Sequence, residues 1–163
     1  MTPRQHAVSL LKFVRDYSNK LIKDFPEGKA TFQASPTDNH LAWVLGHLAS
    51  TDAWIGGALG IPGTAVPETY GKLFGGGSKP LPDPKAYPPL AELRKAFENG
   101  RAAVLKWLET APDAALATPL ADKTGGFCTD PIDGALKIAW HEGWHFGQVA
   151  NCRKALGLPN ALG

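Results

Sequence analysis

Apolar residues recur at helical spacing in four separate stretches of the chain, and the pattern breaks at proline and glycine between them. In the first stretch Ala7, Leu10, Leu11, Val14, Tyr17, Leu21, Ile22 and Phe25 fall on one helical stripe, which Pro26 and Gly28 end. Thr2-Pro3-Arg4-Gln5 ahead of it supplies a capping threonine, a proline at the first helical position and a glutamine at the third. The second stretch starts near Pro36-Thr37-Asp38-Asn39 and carries Leu41, Val44, Leu45, Leu48, Ile55 and Leu59, with Gly56, Gly57, Gly60 and Pro62 fraying its end. The third runs from about Pro89 to Thr110 through Leu90, Leu93, Phe97, Val104, Leu105 and Leu108, and stops at Pro112. The fourth opens at Asp130-Pro131, carries Ile132, Leu136, Ile138, Val149 and Leu156, and ends at Gly157 with Pro159 beyond.

No stretch alternates apolar and polar residues as a half-buried strand would, and no internal repeat is visible. The pattern predicts an all-α chain, with non-helical segments at 61–88 and 112–130. Between the second and third helices lies "IPGTAVPETYGKLFGGGSKPLPDPKAYPP", 29 residues rich in proline and glycine. A connection that long is uncommon inside a compact domain. It predicts a four-helix bundle with a long crossover loop between helices two and three. The loop reads first as a surface connector with one short helix, and second as a lid over a site.

Composition narrows the function. A chain of 163 residues is read as a single domain spanning 1–163. Its 17 basic and 15 acidic residues leave a net charge of +2, and the cations are scattered, so no nucleic-acid or anionic-membrane surface is expected. No run of about 18 apolar residues exists to span a membrane. The N-terminal stretch keeps Arg4, Lys12, Arg15 and Asp16 and does not read as a signal peptide. Cys128 and Cys152 are read as reduced, which points to a cytoplasmic protein.

The histidines carry the chemistry. His141 and His145 stand four apart on the fourth helix, about 40° apart around its axis and one turn along it. They share a stripe with Ile138, Gln148 and Cys152, and His47 sits on the second helix between Val44, Leu48 and Thr51. Three buried imidazoles would all need partners. A divalent metal ion bound by His47, His141 and His145 satisfies them together and leaves coordination positions open. Imidazole ligands suit zinc, nickel and iron alike, so the identity of the ion stays open. His40, two turns from His47, is expected to be exposed in the first turn of its helix, with a place in a pocket wall as the other option, and His6 is expected at the surface.

His141-Glu142-Gly143-Trp144-His145 also matches the zinc-protease pattern H-E-x-x-H. Such proteases usually take a third ligand downstream, yet "FGQVANCRKALGLPNALG" holds no His, Asp or Glu. The match is read as accidental and Glu142 as a solvated or packing residue, not a general base. Trp43, Trp54 and Trp144 are expected in the core, or else in the apolar wall of a pocket.

"LAWVLGHLASTDAWIGG" together with "AWHEGWHFGQVANCRKALGLP" resembles the DinB-like (YfiT-like) family of bacterial four-helix proteins. The resemblance covers nearly the whole chain. It implies an up-down-down-up bundle that binds a divalent metal through His47, His141 and His145, and it matches Gln148 to the glutamine one turn beyond the last ligand. Many relatives carry a basic residue directly after that ligand, where Phe146 stands here. Characterised members of the family include transferases and isomerases that use low-molecular-weight thiols such as bacillithiol or mycothiol. The resemblance therefore implies a small-molecule substrate, with a thiol S-transferase as the leading activity. A non-enzymatic metal-binding or sensory protein and a metal-dependent small-molecule hydrolase remain as alternatives. A homodimer is also implied, and Gly143 and Gly147 offer a small-x-x-x-small face on the side of the fourth helix away from its histidines.

Overall fold

In a computed structural model, residues 1–162 are described, and four long helices account for most of them. They are α1 (Pro3–Ile22), α2 (Leu41–Leu59), α4 (Leu90–Thr110) and α6 (Pro131–Ala155), with two short helices between them, α3 (Thr69–Phe74) and α5 (Asp113–Leu116). No strand is present among the described residues. The ends follow the local chemistry. Thr2 and Gln5 close a capping box on α1, and Asp130 accepts from the amides of Ile132 and Asp133 at the start of α6. Gly60 closes α2 in the left-handed region at φ 69°, where a side chain would be strained. The second helix starts at Leu41, later than Pro36 to Asn39 suggested, because 36–40 form a turn and a cap.

α1 packs against α6 and α4, and α2 packs against the same two, so α1 and α2 lie diagonally across the bundle. Contacts at the helix ends set the directions. Arg4 at the start of α1 pairs with Asp113 just beyond α4, and Arg94 near the start of α4 donates to the Ile22 carbonyl at the end of α1. Those two helices are antiparallel. Arg153 at the end of α6 donates to the Leu21 carbonyl, so α6 runs parallel to α1. Asn39, just before α2, reaches Gln148 late in α6, so α2 runs the other way. The order is up-down-down-up, with the crossover loop joining the two parallel helices α2 and α4.

The apolar core is in two parts. One gathers Leu41, Leu45, Leu48, Phe74, Leu93, Phe97, Phe146 and Val149; the other gathers Leu11, Ile55, Val104, Leu108, Leu120 and Ile138. A layer of four buried charges, drawn one from each long helix, joins Arg15, Asp52, Arg101 and Glu142, while Arg153, also buried on α6, pairs separately with Asp24. Arg15 binds Glu142 through Nε at 3.0 Å and Nη2 at 3.1 Å, and also donates to the Phe97 carbonyl at 2.6 Å. Arg101 binds Asp52 through Nε at 3.1 Å and Nη2 at 3.0 Å. Its Nη1 lies 2.8 Å from Glu142 Oε2 but off the hydrogen-bond direction, an ionic contact without an aligned bond. The four charges sum to zero, so each buried ion has a counter-ion in contact.

The crossover loop runs largely over the surface and carries one short α-helix, α3, which anchors it to the bundle. Tyr70 and Phe74 of α3 are buried, and Phe74 packs so close to α2 that a Cβ on Gly46 would lie 2.5 Å from its ring. A second short turn, Pro84–Ala86, leads into α4. Within 112–130 the chain forms one further helical turn, α5.

Candidate metal centre

The three histidines picked out by spacing meet between α2 and α6. His141 Nε2 lies 3.1 Å from His47 Nε2 and 3.0 Å from His145 Nε2. One ligand nitrogen from each falls within 4.8 Å of the others.

Outer partners determine which nitrogen faces inward. His47 Nδ1 lies 2.6 Å from the Phe74 carbonyl, which can only accept, so the ring proton sits on Nδ1 and Nε2 presents its lone pair. His145 Nδ1 donates to Gln148 Oε1 at 3.1 Å, and that oxygen also accepts from Asn39 Nδ2 at 3.0 Å. His145 Nε2 therefore presents a lone pair as well. Such outer hydrogen bonds fix the tautomer and orientation of metal-ligating imidazoles.

Two lone pairs thus converge on His141 Nε2, which carries one proton at most. Hydrogen bonding within the protein can satisfy one of them and leaves the other facing a nitrogen. A cation at the focus resolves the conflict, since it takes three lone pairs at once and moves the His141 proton to Nδ1, a buried atom with no protein partner. Tetrahedral ligands with ~2.0–2.1 Å bonds sit about 3.3 Å apart, so the two pairs at 3.0 and 3.1 Å need only a small outward shift, and the third pair lies within 4.8 Å. The residues fit a divalent ion.

Electrostatics keep the site ready. Burial, and then the neighbouring His145 and His47, push His141 down to about 3. Burial, and then His47, push His145 down to about 4. Burial also lowers His47, against the Phe74 carbonyl, which favours its charged form. All three are neutral near pH 7, the state a metal requires.

Trp43 stacks on His47 at 4.4 Å between ring centroids. On the other side of the histidines a cavity of about 470 Å³ opens, lined by His47, His141, Ser50, Thr51, Trp54, Phe74, Phe127 and three glycines, Gly71, Gly75 and Gly76. Of the tryptophans, Trp43 is core, Trp54 is a half-exposed cavity wall and Trp144 is largely exposed. Phe146 points into the bundle against Phe97, so the position after His145 brings no cation to the site.

Trp144, expected in the core or in a pocket wall, lies in neither, and two further expectations are corrected. His40 is fully buried, because it lies just outside α2 as its cap: Nδ1 accepts from the Trp43 amide and Nε2 donates to the Leu81 carbonyl of the crossover loop. Glu142 is not solvated. It points away from the flanking histidines into the buried charge layer, and its packing role is that of an ion held by two arginines. Burial opposes its ionisation, but Arg101 and Arg15 outweigh burial and hold its carboxyl below the usual range. Both of its oxygens are engaged by arginine, so it is not free to act as a general base.

The sequence reading passed over Phe74, Asn39 and the other three members of the charge layer. Arg15, Asp52 and Arg101 stand on the inward stripes of their helices, between Leu11 and Ile22, Leu48 and Ile55, and Phe97 and Val104. Their register was a usable signal of burial. Nothing local marks the Phe74 carbonyl, because any residue supplies one.

A sequence model described as the DinB superfamily matches residues 10–149 of the chain. No curated protein and no solved structure matches it.

Proposed function

The chain belongs to the DinB superfamily, and on that premise we propose that it is a metal-dependent transferase that activates a low-molecular-weight thiol and joins it to a small electrophile. The carrying observation is a three-imidazole focus that opens onto a cavity whose wall holds no carboxylate, lysine or arginine. A zinc, nickel or iron ion bound there would lower the pKa of a thiol near pH 7, the proton passing to solvent, and the electrophile's leaving group would depart as the new bond to sulfur forms. His47, His141 and His145 would hold the ion, Phe74 and Gln148 orient two of them, and Trp54, Phe74 and Phe127 would screen the reacting groups from water. Hydrolysis by an activated water is the weaker reading, because the one acid adjacent in sequence, Glu142, is engaged by Arg15 and Arg101.

Two further features belong to the same reading. Cys128 and Cys152 are both free and buried, which supports a reducing cytoplasm, and no helix of the described residues is long and apolar enough to cross a membrane. Trp140 and Trp144 stack on each other, 65% and 57% exposed, beside a groove of about 280 Å³ lined by Phe13, Tyr17, Gly143 and Gly147. We propose that a second copy of the chain covers this face.

The test uses cobalt-substituted protein. 2-Mercaptoethanol should shift the d–d absorption as sulfur enters an open coordination position. An unchanged spectrum at millimolar thiol would refute the transferase reading and favour a metal-binding sensor.

A further inference from the structure

The cavity wall has a chemical sign of its own. Apart from the metal-site histidines, its side chains are aromatic rings and two hydroxyls. Both hydroxyls have spent their only proton: Ser50 Oγ donates to the Gly46 carbonyl at 2.9 Å, and Thr51 Oγ1 donates to the His47 carbonyl at 3.0 Å. What they present to the cavity is lone pairs. Lys137, a cation lying 5.9 Å over the Phe127 ring, is bound to Asp133 and the Phe127 carbonyl. A negative group on the ligand, away from the histidine focus, therefore meets no side-chain cation and no hydroxyl proton in this wall, only the Trp54 indole N–H, and a buried charge without a counter-ion is strongly disfavoured.

Room comes from glycine. A Cβ added at Gly71 or Gly76 would meet no atom within 4 Å, so neither residue is required by packing against the protein. Both line the cavity.

We infer that the organic ligand of this cavity is uncharged and largely apolar or aromatic, carries a hydroxyl or N–H that donates to Ser50 or Thr51, and that Gly71 and Gly76 set its permitted size. Resting on the transferase reading, this names the class of the electrophilic substrate. Trp54 and Phe127, with ring centroids 5.4 Å apart, form the face on which its apolar part lies. Aromatic surfaces of this kind select rings by shape and by burial of apolar area.

The experiment is equilibrium binding to the zinc-loaded protein, followed by the probes' naphthalene fluorescence. Three probes share one ring system: 2-(1-naphthyl)ethanol, its methyl ether, and 1-naphthalenesulfonate, a weakly coordinating anion. The alcohol should bind about 2–10-fold more tightly than the ether, the worth of one hydrogen bond, and at least ~10-fold more tightly than the sulfonate. Ser50→Ala combined with Thr51→Val should erase the difference between alcohol and ether while retaining zinc. Gly76→Leu, at an exposed position with free space, should weaken all three probes. Sulfonate binding as tight as that of the alcohol, or an alcohol preference that survives the double variant, would overturn the inference. The two readings fail separately. A thiol-shifted cobalt spectrum alongside sulfonate preference sinks this one alone, whereas the expected probe order with an unshifted spectrum sinks only the transferase.

Discussion

Arg15 of α1 grips both carboxylate oxygens of Glu142 on α6, at 3.0 and 3.1 Å, directly beside the histidines that flank Glu142 in sequence. Helix geometry explains the division of labour. Residues 141 and 145 share one face, while 142 is turned about 100° from 141 and looks into the bundle. One turn of α6 thus faces a ligand focus on one side and a charge layer on the other.

Glu142→Gln should therefore leave metal content per folded molecule unchanged and cost stability. It leaves Arg15 and Arg101 sharing Asp52 as their one buried counter-ion, with half-exposed Glu98 the other carboxylate near Arg15, and breaking a buried pair on one side typically costs ~3–5 kcal/mol. Removing Arg15 and Glu142 together, as Arg15→Met with Glu142→Leu, should recover most of that loss, because Arg101 keeps Asp52. Urea unfolding with elemental analysis checks both. The acid side follows from the lowered Glu142 carboxyl. A depressed folded value means that the stabilisation is complete above the ordinary carboxylate range and is lost as pH falls through the lowered value.

Gly46→Ala should weaken metal binding without touching a ligand. The new Cβ would lie 2.5 Å from the Phe74 ring, and the Phe74 carbonyl orients His47. Overpacking of this kind costs ~1–3 kcal/mol, and loss of an outer partner commonly costs ~10–100-fold in affinity. Adding Phe74→Leu makes room while keeping the backbone carbonyl, so it should restore affinity in a competition assay with a chelator. Undiminished affinity in the single variant would show that Phe74 does not position His47.

Much of this was legible beforehand and some was not, for definable reasons. The helices and their stops follow from periodicity and from proline and glycine, and the pair 141 and 145 follows from helical geometry alone. His47 was legible because it sits on an apolar stripe where an unpartnered imidazole is costly. His40 was misplaced because a cap looks like a first-turn residue in sequence, and only the fold of the loop over it shows its burial. The Phe74 contact lies 27 residues from His47 and depends on a backbone atom, so no residue type announces it. The charge layer was visible in register but masked by the habit of assigning arginine and aspartate to the surface.

The exposed tryptophans carry a prediction about association. Trp140 and Trp144 stack with ring centroids 5.8 Å apart, and Gly143 and Gly147 leave open space for a neighbouring backbone. Wild-type protein should sediment as a dimer at micromolar concentration. Trp140→Asp with Trp144→Asp should give a folded monomer, since both side chains face solvent within one chain. A monomeric wild type would remove the proposed interface.

The histidine triad carries the sharpest pH signature. Free imidazole titrates near ~6.5, and a metal site built on ordinary histidines would begin to release its ion there. In this fold His145 is pushed down to about 4 and His141 to about 3, chiefly by burial. In the folded chain protons therefore compete for these nitrogens only well below pH 6.5. The unfolded chain takes up protons first, so the metal-free protein should lose stability progressively as pH falls from ~6.5 toward those lowered values. The loaded protein should keep its metal through pH 6 and release it nearer pH 4, as read by a metal-sensitive dye. His145→Ala leaves two imidazoles, and its affinity should fall by more than the ~10–100-fold that outer partners alone are worth. Half-release at pH 6.5 would show that the imidazoles are ordinary and solvated. Full metal stoichiometry in both His47→Ala and His145→Ala would show that the ion is held elsewhere.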